Sequence, residues 1–176
     1  NRAIHLFDRH WMPLPDENWI GHNVEVSWII CDAARTIKDN ELQRKCKDVA
    51  LHLCDVAIET GFDSQYGGMY SRFHKENLLS TDKEWWPQAE SVIAFMNAYS
   101  LSGNKKYLSY AIRLLEYIDN TFSDNKNGEW YDSVNREGKP YLDKPKVHFW
   151  KSMYHNVRYC ILTHRQLSNR FASVLN

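Results

Sequence analysis

An all-α fold of stacked helical hairpins, closing about half of a ring, is what this 176-residue sequence predicts. Three observations carry the prediction. Five stretches repeat apolar residues at helical spacing. The connections between them alternate between tight turns and long segments dense in glycine and aromatic residues. The whole pattern recurs with a period of roughly 60 to 70 residues, the mark of a repeat architecture.

The first helix is expected from about His22 to Ile37, with Val26, Ile29, Ile30, Ala33 and Ile37 on its apolar face. The turn Lys38-Asp39-Asn40 leads into a second helix, from about Asn40 to Glu59. Leu42, Cys46, Val49, Leu53, Val56 and Ala57 form its stripe, and Gly61 stops it. The third runs from about Trp85 to Leu101. Thr81 and Glu84 have capping-box spacing before it, and Pro87 suits a first turn. Val92, Ile93, Phe95, Met96 and Tyr99 make it apolar on more than one side, so it should be deeply buried. Ser102-Gly103-Asn104 turns the chain into a fourth helix, from about Lys105 to Thr121, faced by Leu108, Ala111, Ile112, Leu115 and Ile118. A fifth is expected from about Tyr154 to Leu167.

The two long connections resemble each other. Gly67-Gly68-Met69-Tyr70 in one answers Gly128-Glu129-Trp130-Tyr131 in the other, and each could form a short hairpin. Asn135-Arg136-Glu137-Gly138 adds a further turn signal. His22, Glu90 and His155 all fall near the starts of the odd-numbered helices, and the even-numbered helices carry the more charged faces. Odd helices are therefore expected inside and even helices outside. If the pairs curve toward closure, the N-terminal ends of the inner helices surround one cavity. Two and a half pairs are visible, so a longer parent protein is expected.

Composition narrows the function. Basic and acidic residues balance at 22 each, which argues against nucleic acid as a partner. No apolar run is long enough to span a membrane. Cys31, Cys46, Cys54 and Cys160 have no paired close spacing and fall on predicted apolar faces, so reduced thiols and a cytoplasmic location are expected. Seven Trp and ten Tyr are an excess, and a flat apolar face with one polar edge complements a sugar ring.

The chemistry-bearing residues agree with that. His22 and Glu25 are three apart and share a helix face, so the carboxylate can orient the imidazole. His155 stands at the corresponding point of the fifth helix. Trp85 and Trp86 point about 100° apart, and Glu90 lies four residues after Trp86 on its face. Two imidazoles, two carboxylates and an indole pair suit general acid–base work on a carbohydrate. His and Glu at that spacing can also share an ion, but no second spaced pair supports a metal site. A glycosidase carboxylate pair and a non-catalytic helical-repeat scaffold are the rival readings.

Four strings add a resemblance. Gly21-His22-Asn23-Val24-Glu25-Val26-Ser27-Trp28, Glu84-Trp85-Trp86-Pro87-Gln88-Ala89-Glu90, Gly128-Glu129-Trp130-Tyr131 and Pro145 to Asn156 resemble the C-terminal half of the N-acylglucosamine 2-epimerase family. The cellobiose (mannobiose) branch fits best. The resemblance implies an (α/α)6 toroid, with residues 1–176 forming the C-terminal part of one barrel domain. It implies inversion at C2 of a reducing-end aldose, with neither cofactor nor metal; the alternatives it leaves open are N-acylglucosamine 2-epimerisation and aldose–ketose isomerisation within the same superfamily. The sugar would be a disaccharide or an amino sugar; oligomeric state stays open. Carried over, His22 and His155 are the acid–base pair and Glu25 orients His22. Trp86 and Trp150 stack the sugar, with Trp85 beside them. Glu90 binds hydroxyls, and Arg158 helps hold the site together. The family's N-terminal half supplies an arginine and a further histidine that have no counterpart here, so this chain alone is expected to be inactive.

Overall fold

The computed structural model describes residues 3–14, 18–74 and 77–174. Five α-helices dominate it: α1 (Ile20–Ile37), α2 (Asn40–Gly61), α3 (Trp85–Ser102), α4 (Lys105–Tyr117) and α5 (Tyr154–Val174). Short strands fill the long connections: β1 (Asn18–Trp19), β2 (Arg72–His74), β3 (Asn77–Leu78), β4 (Lys83–Glu84) and β5 (Ser133–Val134). β1, β2 and β3 form one antiparallel sheet, and β4 pairs with β5 in another.

The tight turns follow from local chemistry. Lys38 (φ 61°) and Gly103 (φ 71°) end α1 and α3 in the left-handed conformation, and their N–H groups return to the last helical carbonyls. One residue later, the Asp39 carboxylate accepts from the N–H groups of Glu41 and Leu42, and the Asn104 side chain accepts from Lys106. Each pair is thus an end-stop followed at once by an N-cap. The result is two antiparallel hairpins, α1–α2 and α3–α4.

The inner helices begin differently. None of α1 or α3 has a side-chain cap. Instead, the carbonyl of Ser71 takes the N–H of Ile20, and the carbonyl of Asp132 takes the N–H of Trp85. Each hairpin that follows an outer helix folds back over the mouth of an inner one. Glu84 turns its carboxylate to the Trp86 indole (3.0 Å), so the expected Thr81–Glu84 capping box does not form.

The layering expected from the sequence is present. α3 is buried from Trp85 through Ala98 and packs against α1, α4 and α5, while α2 and α4 keep a wet face. Three details differ. α1 buries Val24, Ser27, Trp28, Cys31 and Ala34; Ile29 and Ile37, assigned to its stripe, are exposed. That helix is apolar on two sides, and spacing alone favoured the side without Ser27. Val49 of α2 and Ile112 of α4 are likewise exposed. The fourth helix stops at Tyr117 and widens into a π-helical turn over Ile118–Phe122, and the fifth continues to Val174.

The repeat extends to single atoms. Asp63 and Asp124 each cap their own loop, accepting from Gln65 and Tyr66 in one case and from Lys126 and Asn127 in the other. A lysine ammonium then sits in each loop. Lys83 reaches Asp63 (3.0 Å) and the Gly67 carbonyl (2.6 Å); Lys146 reaches Asp124 and the Gly128 carbonyl. No described helix is long and apolar enough to cross a membrane. Of the cysteines, Cys31 and Cys54 are buried, but Cys160 is exposed, against expectation.

Candidate active site

The mouths of α1, α3 and α5 open into one cavity of about 670 Å³. Its wall includes His22 and Glu25 from α1, Trp85 and Trp86 from α3, and Tyr154 and His155 from α5. Trp19, Glu84, Asp132, Lys144, His148 and Trp150 come from the connections. Residues far apart in sequence meet here because every inner helix presents the same end.

Trp86 is the centre of the wall. Its ring lies 5.0 Å from that of His22 and 5.5 Å from that of His155. Gly21 makes this possible: a Cβ there would stand 2.1 Å from the Trp86 ring. Trp85 is edge-on to both His155 (6.4 Å) and His148 (5.8 Å). Trp150 reaches the cavity but is 73% exposed, its ring packed edge-on against Phe149. The two histidines therefore share one hollow, each beside the same indole.

Behind the wall is a charged network. Nδ1 of His155 lies 2.6 Å from Oε1 of Glu90. A carboxylate can only accept, so Nδ1 carries the proton and the neutral ring turns a lone pair on Nε2 outward. Arg158 donates to Glu90 (2.6 Å) and to Glu25 (2.5 Å), and the Trp28 indole donates to the second oxygen of Glu90 (2.9 Å). Burial pushes the Glu90 carboxyl up, but bonds from His155, Arg158 and Trp28 outweigh it and hold it below the usual carboxylate range. Two carboxylates against one guanidinium leave one negative charge, which compensates an imidazolium forming on His155.

These contacts bear on two of the expected site residues. Glu90, expected to bind hydroxyls, is fully buried with both oxygens engaged by His155, Arg158 and Trp28. Glu25 lines the cavity, and its carboxylate accepts from Arg158, 133 residues away. Glu25, Glu90 and His155 hold ligand atoms within 4.8 Å of one another, a spacing that could suit an ion. The Arg158 guanidinium stands among them and meets the same demand for positive charge.

Sequence reasoning missed several residues. His5 lies edge-on to His22 at 4.5 Å, brought there by an N-terminal segment in which the Ala3 N–H bonds the Asn23 side chain. Glu84 faces the cavity, and burial raises its carboxyl above the usual range against the opposing bond from Trp86. Asp132, Lys144 and His148 form a second polar side of the wall. The Gly-aromatic repeat, and the strings that hold Glu84 and His148, were the hints that these loops reach the site.

Known proteins resemble the chain throughout. It is 32% identical over 156 residues to the cellobiose 2-epimerase of Bacteroides fragilis, covering 89% of this chain and 40% of that protein. The structure of cellobiose 2-epimerase from Spirochaeta thermophila superposes with a TM-score of 0.82 at 25% identity, over 96% of this chain and 43% of the other. A D-mannose isomerase superposes with a TM-score of 0.74 at 25% identity, over 92% and 39%. The chain thus spans about 40% of the length of these relatives and has the fold of part of an (α/α)6 toroid. Residues 2–158 match the sequence pattern of N-acylglucosamine 2-epimerase, and with the inner-helix mouths converging as they do, the chain belongs to that family.

Proposed function

We propose that this chain is the C-terminal part of a carbohydrate 2-epimerase that inverts C2 of the reducing-end aldose of a β-1,4-disaccharide such as cellobiose or mannobiose. The observation that carries the reading is the placement of His22 and His155 on two helices, in one cavity, each beside the Trp86 ring. Inversion needs a base on one face of the C2 centre and an acid on the other. One imidazole removes the C2 proton from the opened sugar, giving a cis-enediolate. The other returns a proton to the opposite face. Glu90 fixes the His155 tautomer, and Arg158 ties Glu90 to Glu25. Trp86 and Trp150 hold the sugar by its faces.

The enediolate oxygen needs a donor, and no arginine of the described residues lines the cavity. Loss of one such donor lowers a rate by about a hundredfold or more. The chain alone is therefore expected to bind sugar without turning it over, the donor coming from the rest of the barrel. A C2-deuterium exchange assay in deuterated water, on the full-length parent, tests the mechanism. Exchange with formation of the C2 epimer should vanish in His22→Asn and His155→Asn. A helical scaffold gives no exchange at all, and a glycosidase releases monosaccharides. The likeness to D-mannose isomerase favours one second reading, an aldose–ketose isomerase, which the same assay reveals as a 2-ketose product.

A further inference from the structure

We infer that His148 is a positioning residue: it fixes the Trp150 wall of the cavity and takes no proton from the substrate. The inference rests on the stacking role proposed for Trp150. Residues 135–153 contain no helix or strand, yet they bring Lys144, His148 and Trp150 to the cavity. Something other than a regular ladder must hold them. The Trp150 ring cannot do so, since its packing partner Phe149 is itself 87% exposed.

His148 supplies the anchor from both ring nitrogens. Nδ1 accepts the backbone N–H of Trp150 (3.2 Å), so Nε2 carries the proton and donates it to Asp132 (2.7 Å). The backbone N–H of His148 bonds the Lys151 carbonyl (3.2 Å), closing a tight loop around Trp150. Its ring stands edge-on to Trp85. Asp132, at the other end, is the residue whose carbonyl takes the first N–H of α3, so the loop is tied directly to the helix that carries Trp85 and Trp86. Lys151 completes the base: its buried ammonium bonds Glu129 (2.6 Å) and the Lys146 carbonyl (2.7 Å).

The parallel with the other dyad sharpens the assignment. Asp132–His148 and Glu90–His155 are two carboxylate–imidazole pairs at nearly the same distance, both edge-on to Trp85, in one cavity. His155 lines the cavity, and its bonds to Glu90 and Arg158 are both at Nδ1. In His148 the second nitrogen is spent on the chain itself. The same chemical pair serves as a base in one place and as a strut in the other.

The test labels the chain with 5-fluorotryptophan and assigns the Trp150 resonance with Trp150→Phe. In His148→Ala, the Trp150 ¹⁹F signal should move toward that of free fluorotryptophan, while the Trp28 and Trp86 signals stay in place. Affinity for cellobiose, read by titration of the same sample, should fall roughly tenfold. His148→Gln, whose amide can still donate to Asp132, should recover part of both. An unmoved Trp150 signal in His148→Ala overturns the inference, and so does displacement of every tryptophan signal, which would make His148 a general fold residue. If the unmodified chain binds no sugar, the epimerase reading is what suffers, and the Trp150 signal still decides the strut.

Discussion

Glu90 shows how one buried residue sets the chemistry of another. Its carboxylate is held low by its bonds, so the unfolded chain binds its proton more readily than the folded one. Stability from Glu90 is present above its ordinary value of 4.5 and is lost as pH falls through the lower folded value. Glu90→Gln should therefore lower stability near neutral pH by about 1–3 kcal/mol, with a deficit that shrinks in acid. Urea unfolding of both proteins across pH 3 to 7 checks this; a pH-independent difference would contradict it. Gly21 makes a second prediction at this scale. Alanine is ordinarily the better helix former, by about 0.5–1 kcal/mol. Here its Cβ would meet the Trp86 ring, so Gly21→Ala should destabilise the chain and shift the Trp86 fluorescence. The importance of both residues was only half legible: the sequence placed Glu90 on the Trp86 face, but not its full burial against His155 and Arg158.

At the scale of elements, the connections matter more than their lack of regular structure suggests. Lys83 is fully buried, with its ammonium on Asp63, the Gly67 carbonyl and the Arg136 carbonyl, so it joins both long loops beneath the mouth of α3. Lys83→Met removes one partner of a buried pair and leaves the Asp63 charge to Arg136 and the loop N–H groups of Gln65 and Tyr66. Such breaks cost about 3–5 kcal/mol, and the urea midpoint should show a loss of that order. Asp39→Ala offers a contrast. It deletes a cap on an exposed turn and should cost about 1 kcal/mol with no effect on sugar binding. The turn residues that build the hairpins could be read from the sequence because Asx caps and left-handed end-stops act within a few residues. The lysine hubs could not, since Lys83 meets Arg136 across 53 positions.

For the whole molecule, the decisive quantity is how much of the ring is present. With about 40% of its relatives' length, the chain has both proposed acid–base histidines and three tryptophans in its cavity wall beyond Trp150. The expected outcome is measurable binding of cellobiose without conversion to its C2 epimer, checked by calorimetry and by product chromatography on the same preparation. Turnover by the chain alone would show that no further donor is needed. Met153, just before α5, and Val157 and Ile161 on it are exposed.

The sequence by itself determined the class of fold, the order of inner and outer helices, the tight turns and the position of His22 and His155 near the starts of inner helices, because each rests on local spacing or on a short motif. The tertiary structure alone decided which face of α1 is buried, that Glu90 is buried against His155, that Arg158 bonds Glu25, and that His148 joins Asp132 to Trp150. Those pairings depend on which helix ends converge, and convergence is a property of packed layers that no local pattern encodes.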